Sequence, residues 1–298
     1  MRRKNWKNYS VDELEKLLPV SERWENQNLS NDFMFGKVMS DKKACAGVLK
    51  IILPEIETGE IIFTEIQKPL RDSIDSRGVR FDVYTKSDNG KRYDIEIQTT
   101  DSRDLFRRTR AYHAVLDSDI LLKKETKRYS DMPDAFVIFI CTFDPFKLGR
   151  HVYTFRSLCC EDKMLELGDG TSTIFLNTYG KDESVNADMK NLLNFIIGMT
   201  CEDPFIKYLE GLLNTARQNV EWRRNFVLDK FNRQTLIDRG FDKGFDKGFD
   251  KGFNEGKDKG EFEGRFSTAQ RLIEMGLSLA DVMRATQLSP DDLARFNA

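Results

Sequence analysis

Apolar and polar positions alternate most strictly between Gly78 and Gln98, where Val79-Arg-Phe-Asp82-Val-Tyr84 and Arg92-Tyr-Asp94-Ile-Glu96-Ile-Gln98 flank Lys86-Ser-Asp-Asn-Gly90. A period of two sorts side chains onto the two faces of a strand, so the stretch predicts a β-hairpin. A two-residue Asn89-Gly90 loop would set Asp82 opposite Ile97 and mix the faces. A three-residue loop Asp88-Asn89-Gly90, with Gly90 left-handed, pairs Phe81 with Ile97, Val83 with Ile95 and Thr85 with Tyr93. The polar face then pairs Asp82 with Glu96 and Arg80 with Gln98. Like charges directly opposite destabilise a sheet, so Asp82 and Glu96 call for a cation, either a basic side chain or a metal. Oxygen ligands of this kind suit Mg2+ or Mn2+. The alternative is a solvated face on which Arg80 and neighbouring lysines neutralise the two acids.

Other periodicities supply the surrounding elements. Residues 1–29 form a polar arm with one short helix opened by the capping box Ser10-Val-Asp-Glu13. The spacing of Phe33, Phe35, Val38, Met39, Val48, Ile51 and Ile52 predicts one helix from Ser30 to Leu53, ended by Pro54. Glu60 to Ile66 alternates like a strand, Asp104 to Asp117 reads as a helix, and Ser172 to Asn177 as a further strand. Ala135-Phe-Val-Ile-Phe-Ile-Cys141 is short, continuous and rich in β-branched and aromatic residues, which predicts a central strand. The order implies an α/β domain over 30–180, a mixed sheet flanked by helices, followed by an all-helical extension over 181–239.

The segment 240–264 repeats Gly-Phe-Asp-Lys from Gly240, and then more loosely to Gly264. Seven glycines at about 1 kcal/mol each would undo an isolated helix, so the segment needs a partner or stays disordered. A flexible linker and an oligomerisation helix both fit, the latter with a Phe stripe of right-handed twist. Residues 265–298 show helix starts at Ser267/Thr268, Ser278-Leu-Ala-Asp281 and Ser289-Pro290, with turns at Gly276 and Gln287-Leu288. Asp291-Asp292 at the last start is wrong for a DNA-reading helix and favours protein contact.

Composition narrows the function. With 298 residues, 40% hydrophobic and 32% charged, the chain can bury a sizeable core. No apolar run approaches the ~20 residues of a membrane span and the start lacks a signal-peptide core, which makes no membrane partner and a cytoplasmic location the expectation. Five cysteines without CxxC spacing suggest neither a disulfide framework nor a zinc site. A net charge of −2 leaves any attraction to nucleic acid to a local patch. One exists between Arg103 and Arg128, with Arg107, Arg108, Arg110, Lys123, Lys124 and Lys127, although such a helix can equally be a solvated face. Two histidines far from any candidate nucleophile argue against a hydrolase triad, and no phosphate-binding glycine loop appears.

Asn31-Asp32-Phe-Met-Phe-Gly-Lys37, Arg80-Phe-Asp82-Val, Lys91-Arg-Tyr-Asp-Ile-Glu96-Ile-Gln98, Arg108-Thr-Arg110-Ala-Tyr112-His113 and Ile138 to Phe146 together resemble the PD-(D/E)XK nuclease superfamily. Leu167-Gly-Asp-Gly170 and Ile174-Phe-Leu-Asn-Thr178 add to the likeness, which is closest to recombination-promoting nucleases and transposases of the Rpn type and covers roughly residues 30–230. The resemblance implies a restriction-endonuclease-like fold and a Mg2+-dependent DNA endonuclease, with Mn2+ as the alternative ion. Asp82, Glu96 and the main-chain carbonyl of Ile97 would hold the metal, and Gln98 would orient the attacking water. Asp32 matches an N-terminal acid, as a metal ligand, a nearby base or simply a favourable charge at a helix start. Arg108 and Tyr112 either contact a phosphate or pack, while Arg107, Arg110, Lys123 and Lys124 would follow the DNA backbone. Gln98 stands where the superfamily has lysine, and a neutral amide cannot supply that charge. That absence motivates a rival reading, a non-catalytic interaction protein that keeps the fold, with residues 240–298 as a possible homo-oligomer surface.

Overall fold

The computed structural model describes residues 6–70, 79–102, 104–122 and 128–294, without the side chains of 67–70, 79–80, 119, 122 and 293–294. It divides into two compact units, Met1–Leu228 and Asp229–Ala298.

In the first unit, β1 (Ile61–Leu70), β2 (Val79–Ser87), β3 (Arg92–Gln98), β4 (Ala135–Cys141), β5 (Val152–Phe155) and β6 (Thr171–Asn177) form one sheet in the order β1-β2-β3-β4-β6-β5. The β1–β2, β2–β3 and β5–β6 pairs are antiparallel, whereas β3–β4 and β4–β6 are parallel. Every residue of β4 is buried, as the predicted central strand requires. Edge strand β5 was not foreseen, because Val152-Tyr-Thr-Phe155 is only four residues long, too short for alternation to mark it.

One sheet face lies under α4 (Leu105–Leu122), where Leu105, Tyr112 and Leu116 pack with Phe81, Tyr84, Val137, Phe139 and Phe175. Toward β1 and β2 pack α2 (Asp32–Met39) and α3 (Lys42–Ile52), two helices where the spacing predicted one. The break has a local cause: the Asp41 carboxylate accepts the Ala44 N–H at 2.8 Å, so the chain starts a new helix with its own N-cap. At Gly47 a Cβ would sit 2.3 Å from the Phe205 ring, so close packing excludes a side chain there.

The predicted capping box opens α1 (Val11–Lys16), whose Glu15 is buried, accepts the Trp24 N–H at 2.8 Å and pairs with Arg223. Trp24 in turn donates its indole N–H to the Arg217 carbonyl at 2.7 Å. The N-terminal segment is thereby bound to α6 (Pro204–Gln218) and the start of α7 (Val220–Glu274), while α5 (Ala187–Ile196) packs with α3 and α6.

The second unit continues α7 through the whole Gly-Phe-Asp-Lys segment and adds α8 (Leu279–Thr286) and α9 (Pro290–Ala294). No new helix begins at Ser267/Thr268; the Thr268 hydroxyl instead bonds the Gly264 carbonyl one turn back, at 2.9 Å. The predicted turns are present, with φ of +86° at Gly276 and +58° at Gln287. Among the described residues no helix is long and apolar enough to cross a membrane.

Candidate active site

The hairpin keeps its predicted register at Val83↔Ile95, Tyr84↔Asp94, Thr85↔Tyr93 and Lys86↔Arg92. Ser87 N–H bonds the Lys91 carbonyl at 3.1 Å, closing the three-residue loop, and Gly90 has the left-handed φ of +89° that the turn demands. Past Val83↔Ile95 the ladder stops, which corrects the expected pairs Phe81–Ile97, Asp82–Glu96 and Arg80–Gln98; the Arg80 side chain lies outside the described residues. The acids themselves account for the change. Asp82 N–H donates to Glu96 Oε1 at 2.8 Å, and Ile97 N–H donates to Asp82 Oδ2 at 3.1 Å. Carboxylate oxygens thus replace strand carbonyls as acceptors, and β2 and β3 are joined through side chains where the two acids meet.

Helix α4 completes the site from the opposite side. Residues four apart share a helix face, so Arg108 and Tyr112 both look down on β3. Tyr112 donates its hydroxyl proton to Glu96 Oε2 at 3.1 Å, and Arg108 Nη2 donates to that hydroxyl oxygen at 2.7 Å. Arg108 Nη2 is also 3.5 Å from Glu96 Oε2, while its Nη1 donates to Gln98 Oε1 at 2.9 Å. The other end of the Gln98 amide donates to the Thr100 carbonyl at 3.1 Å. One guanidinium therefore ties the neutral Gln98 to the acid two residues before it.

A third acid, Asp94, was quoted in the hairpin but given no role. It lies two residues from Glu96, has no exposed surface, and neither carboxylate oxygen accepts a hydrogen bond among the described residues. Burial raises its pKa well above the ordinary value, and the Glu96 charge, a carboxyl–carboxylate hydrogen bond to Glu96 and the Asp82 charge push the same way. Burial raises Glu96 too, opposed by the Asp82 N–H, the Asp94 carboxyl, the Tyr112 hydroxyl and Arg108. Arg108 is itself half-buried, which pulls its pKa down, but Tyr112 and Glu96 outweigh that and hold the guanidinium charged. Three acids, Asp82, Asp94 and Glu96, are buried together here, and Arg108 carries positive charge toward Glu96 and Asp94.

The remaining predicted residues divide by face. Arg107 and Arg110 are exposed on the outer side of α4, apart from Arg108, and Lys123 and Lys124 lie outside the described residues. Asp32 begins α2, accepting the Phe33 N–H at 2.8 Å. One turn later Gly36 lies against β2, where a Cβ would be 3.9 Å from the Asp82 carbonyl oxygen. Nothing in the alternation pattern could reveal the clasp between α4 and β3; the signal available was the spacing of Arg108 and Tyr112.

A family model described as PD-(D/E)XK nuclease family transposase matches residues 29–200. The chain belongs to this family. No curated protein and no solved structure matched it. Asp82, Glu96, Ile97, Gln98, Arg108 and Tyr112 all lie within the matched segment. Among the described residues no three His, Cys, Asp or Glu side chains form a metal-holding group. The two buried carboxylates Asp82 and Glu96 with the Ile97 carbonyl are a different set, all oxygen, and that donor chemistry fits a hard divalent cation.

Proposed function

We propose that this chain is a cytoplasmic divalent-metal-dependent DNA endonuclease that hydrolyses phosphodiester bonds, with Asp82, Glu96 and the Ile97 carbonyl holding Mg2+ or, alternatively, Mn2+. The observation that carries the reading is the Arg108 clasp, which joins a buried acid pair to the residue in the family's lysine position. When bound, such an ion supplies Lewis-acid polarisation of the scissile phosphate and lowers the pKa of a water.

The chain's own residues divide the remaining work. Tyr112 fixes the orientation of Glu96. Gln98, held at both ends, presents an amide that orients the attacking water. Arg108 carries a charge that no physiological pH removes, and we assign to it the stabilisation of negative charge developing on the phosphate, the part a lysine at position 98 would play. Asp32, one turn before the residue packed on Asp82, serves as a further acid near the metal. Arg107 and Arg110, with Lys123 and Lys124, follow the DNA backbone without reading bases.

Plasmid nicking by the purified chain, with Mg2+, Mn2+ or chelator, tests this reading. Wild type should cut with metal only, and Asp82→Ala and Glu96→Ala should not cut. Equal cutting by all three, or by none under any metal, would leave the non-catalytic interaction protein as the better account.

A further inference from the structure

The Gly-Phe-Asp-Lys rows of α7 carry a surface that nothing in the second unit covers. Phe241, Phe245, Phe249 and Phe253 are 72%, 64%, 63% and 62% exposed. Phe249 stacks along the helix on Phe245 and Phe253 at 6.4 and 6.3 Å between centroids. Beside them, Gly240, Gly244, Gly248 and Gly252 sit in regular helix with nothing within 4 Å of where a Cβ would stand. Glycine is unfavourable in a helix, and no close contact within the chain requires it here.

A period of four places each residue type in its own row along the helix. The Phe row is a ridge along i±4n positions and the Gly row beside it is a groove, the two features that interlock when helices pack at a crossing angle of about −50°. Lys243, Lys247 and Lys251 lie beyond the Gly row, and Asp242, Asp246 and Asp250 beyond the Phe row. A second copy related by a two-fold axis parallel to the helices sets Phe ridge against Gly groove on both sides, and Asp row against Lys row. A two-fold that reverses the helix direction instead sets Phe on Phe, Asp on Asp and Lys on Lys. The fourth repeat departs from the pattern: Glu255 stands in the lysine row and pairs with Lys251 at 3.6 Å within the helix. Complementary charge is thus confined to residues 240–251.

We infer that α7 binds a second copy of this chain in parallel, through reciprocal packing of the Phe row into the Gly row over residues 240–251. Sedimentation of the full-length protein, with helicity followed by circular dichroism, tests it. Wild type should form a dimer whose dissociation constant rises about ten-fold or more between roughly 0.05 and 0.5 M NaCl, as screening weakens the Asp–Lys rows. Gly244→Ala/Gly248→Ala should raise helicity, because alanine is the better helix former, and yet shift the protein to monomer, because the groove is filled. A monomeric wild type, or a dimer unchanged by the double alanine variant, would overturn the inference. A dimer strengthened by salt would overturn the parallel arrangement.

Discussion

At the Asp82–Glu96 end of the hairpin the acids, Gln98, Arg108 and Tyr112 find partners within the chain, and the buried Asp94 carboxyl lies against that of Glu96. Along the repeat of α7 the relation is reversed, with glycines at which an added Cβ would meet nothing and with Phe241, Phe245, Phe249 and Phe253 at least 62% exposed. The first region gathers buried negative charge, which an ion can balance. The second is short of a surface, which only another macromolecule can bring. What a region lacks, in charge or in contact area, indicates the kind of partner it is built to accept.

The largest effects belong to the first region. Loss of either Asp82 or Glu96 by alanine substitution should remove metal-dependent nicking altogether. Arg108→Ala leaves both acids in place and should slow cutting about 10²–10³-fold, the usual cost of one charge-stabilising donor, measured as the single-turnover rate at saturating metal.

How far the sequence foretold these regions depends on the range of the interactions. The register from Lys86↔Arg92 to Val83↔Ile95 and the Gly90 turn were legible, because alternation and a left-handed glycine are properties of adjacent residues. The end of the ladder was not, since it arises when carboxylates displace backbone acceptors. Asp94 escaped for a related reason: its partner across the hairpin is Tyr84, so a search for facing like charges passes over it. Arg108 was set beside Tyr112 by their four-residue spacing, with phosphate contact and packing both open, and helical geometry turns it toward β3 while Arg107 and Arg110 face outward. The break between α2 and α3 was written in Ser40-Asp41, but an apolar face continuing on both sides obscured it. Alternation and composition located the fold and the acid pair; the clasp from α4 required the tertiary structure.

A middle-sized effect separates charge deficit from simple burial. A carboxyl whose pKa is raised by folding favours the folded state at low pH, and that advantage is lost as pH rises from the ordinary carboxylate value of 3.8 through the raised value. Metal-free protein should therefore lose stability over that window, and Asp94→Asn should recover about 1–3 kcal/mol at neutral pH and nothing in acid, read by denaturant unfolding. Added Mg2+ should raise the melting temperature of wild type, and do so less for Asp82→Ala.

The smallest effects contrast glycines. Gly47→Ala forces a Cβ into the Phe205 ring and should destabilise the first unit by about 1–3 kcal/mol. Gly260→Ala, in open space on α7 beyond the paired rows, should stabilise its helix by about 0.5–1 kcal/mol. Thermal unfolding monitored separately at the two units would reveal opposite signs.

The central claim is that Arg108 supplies the charge that Gln98 does not. Its most direct test is the metal-dependent nicking rate of Arg108→Ala beside that of the double variant Arg108→Ala/Gln98→Lys, in which the charge returns at position 98. The account predicts a slow single variant and a double variant that regains at least ten-fold of the lost rate. Full activity in Arg108→Ala, or no gain from the added lysine in a folded double variant, would contradict it.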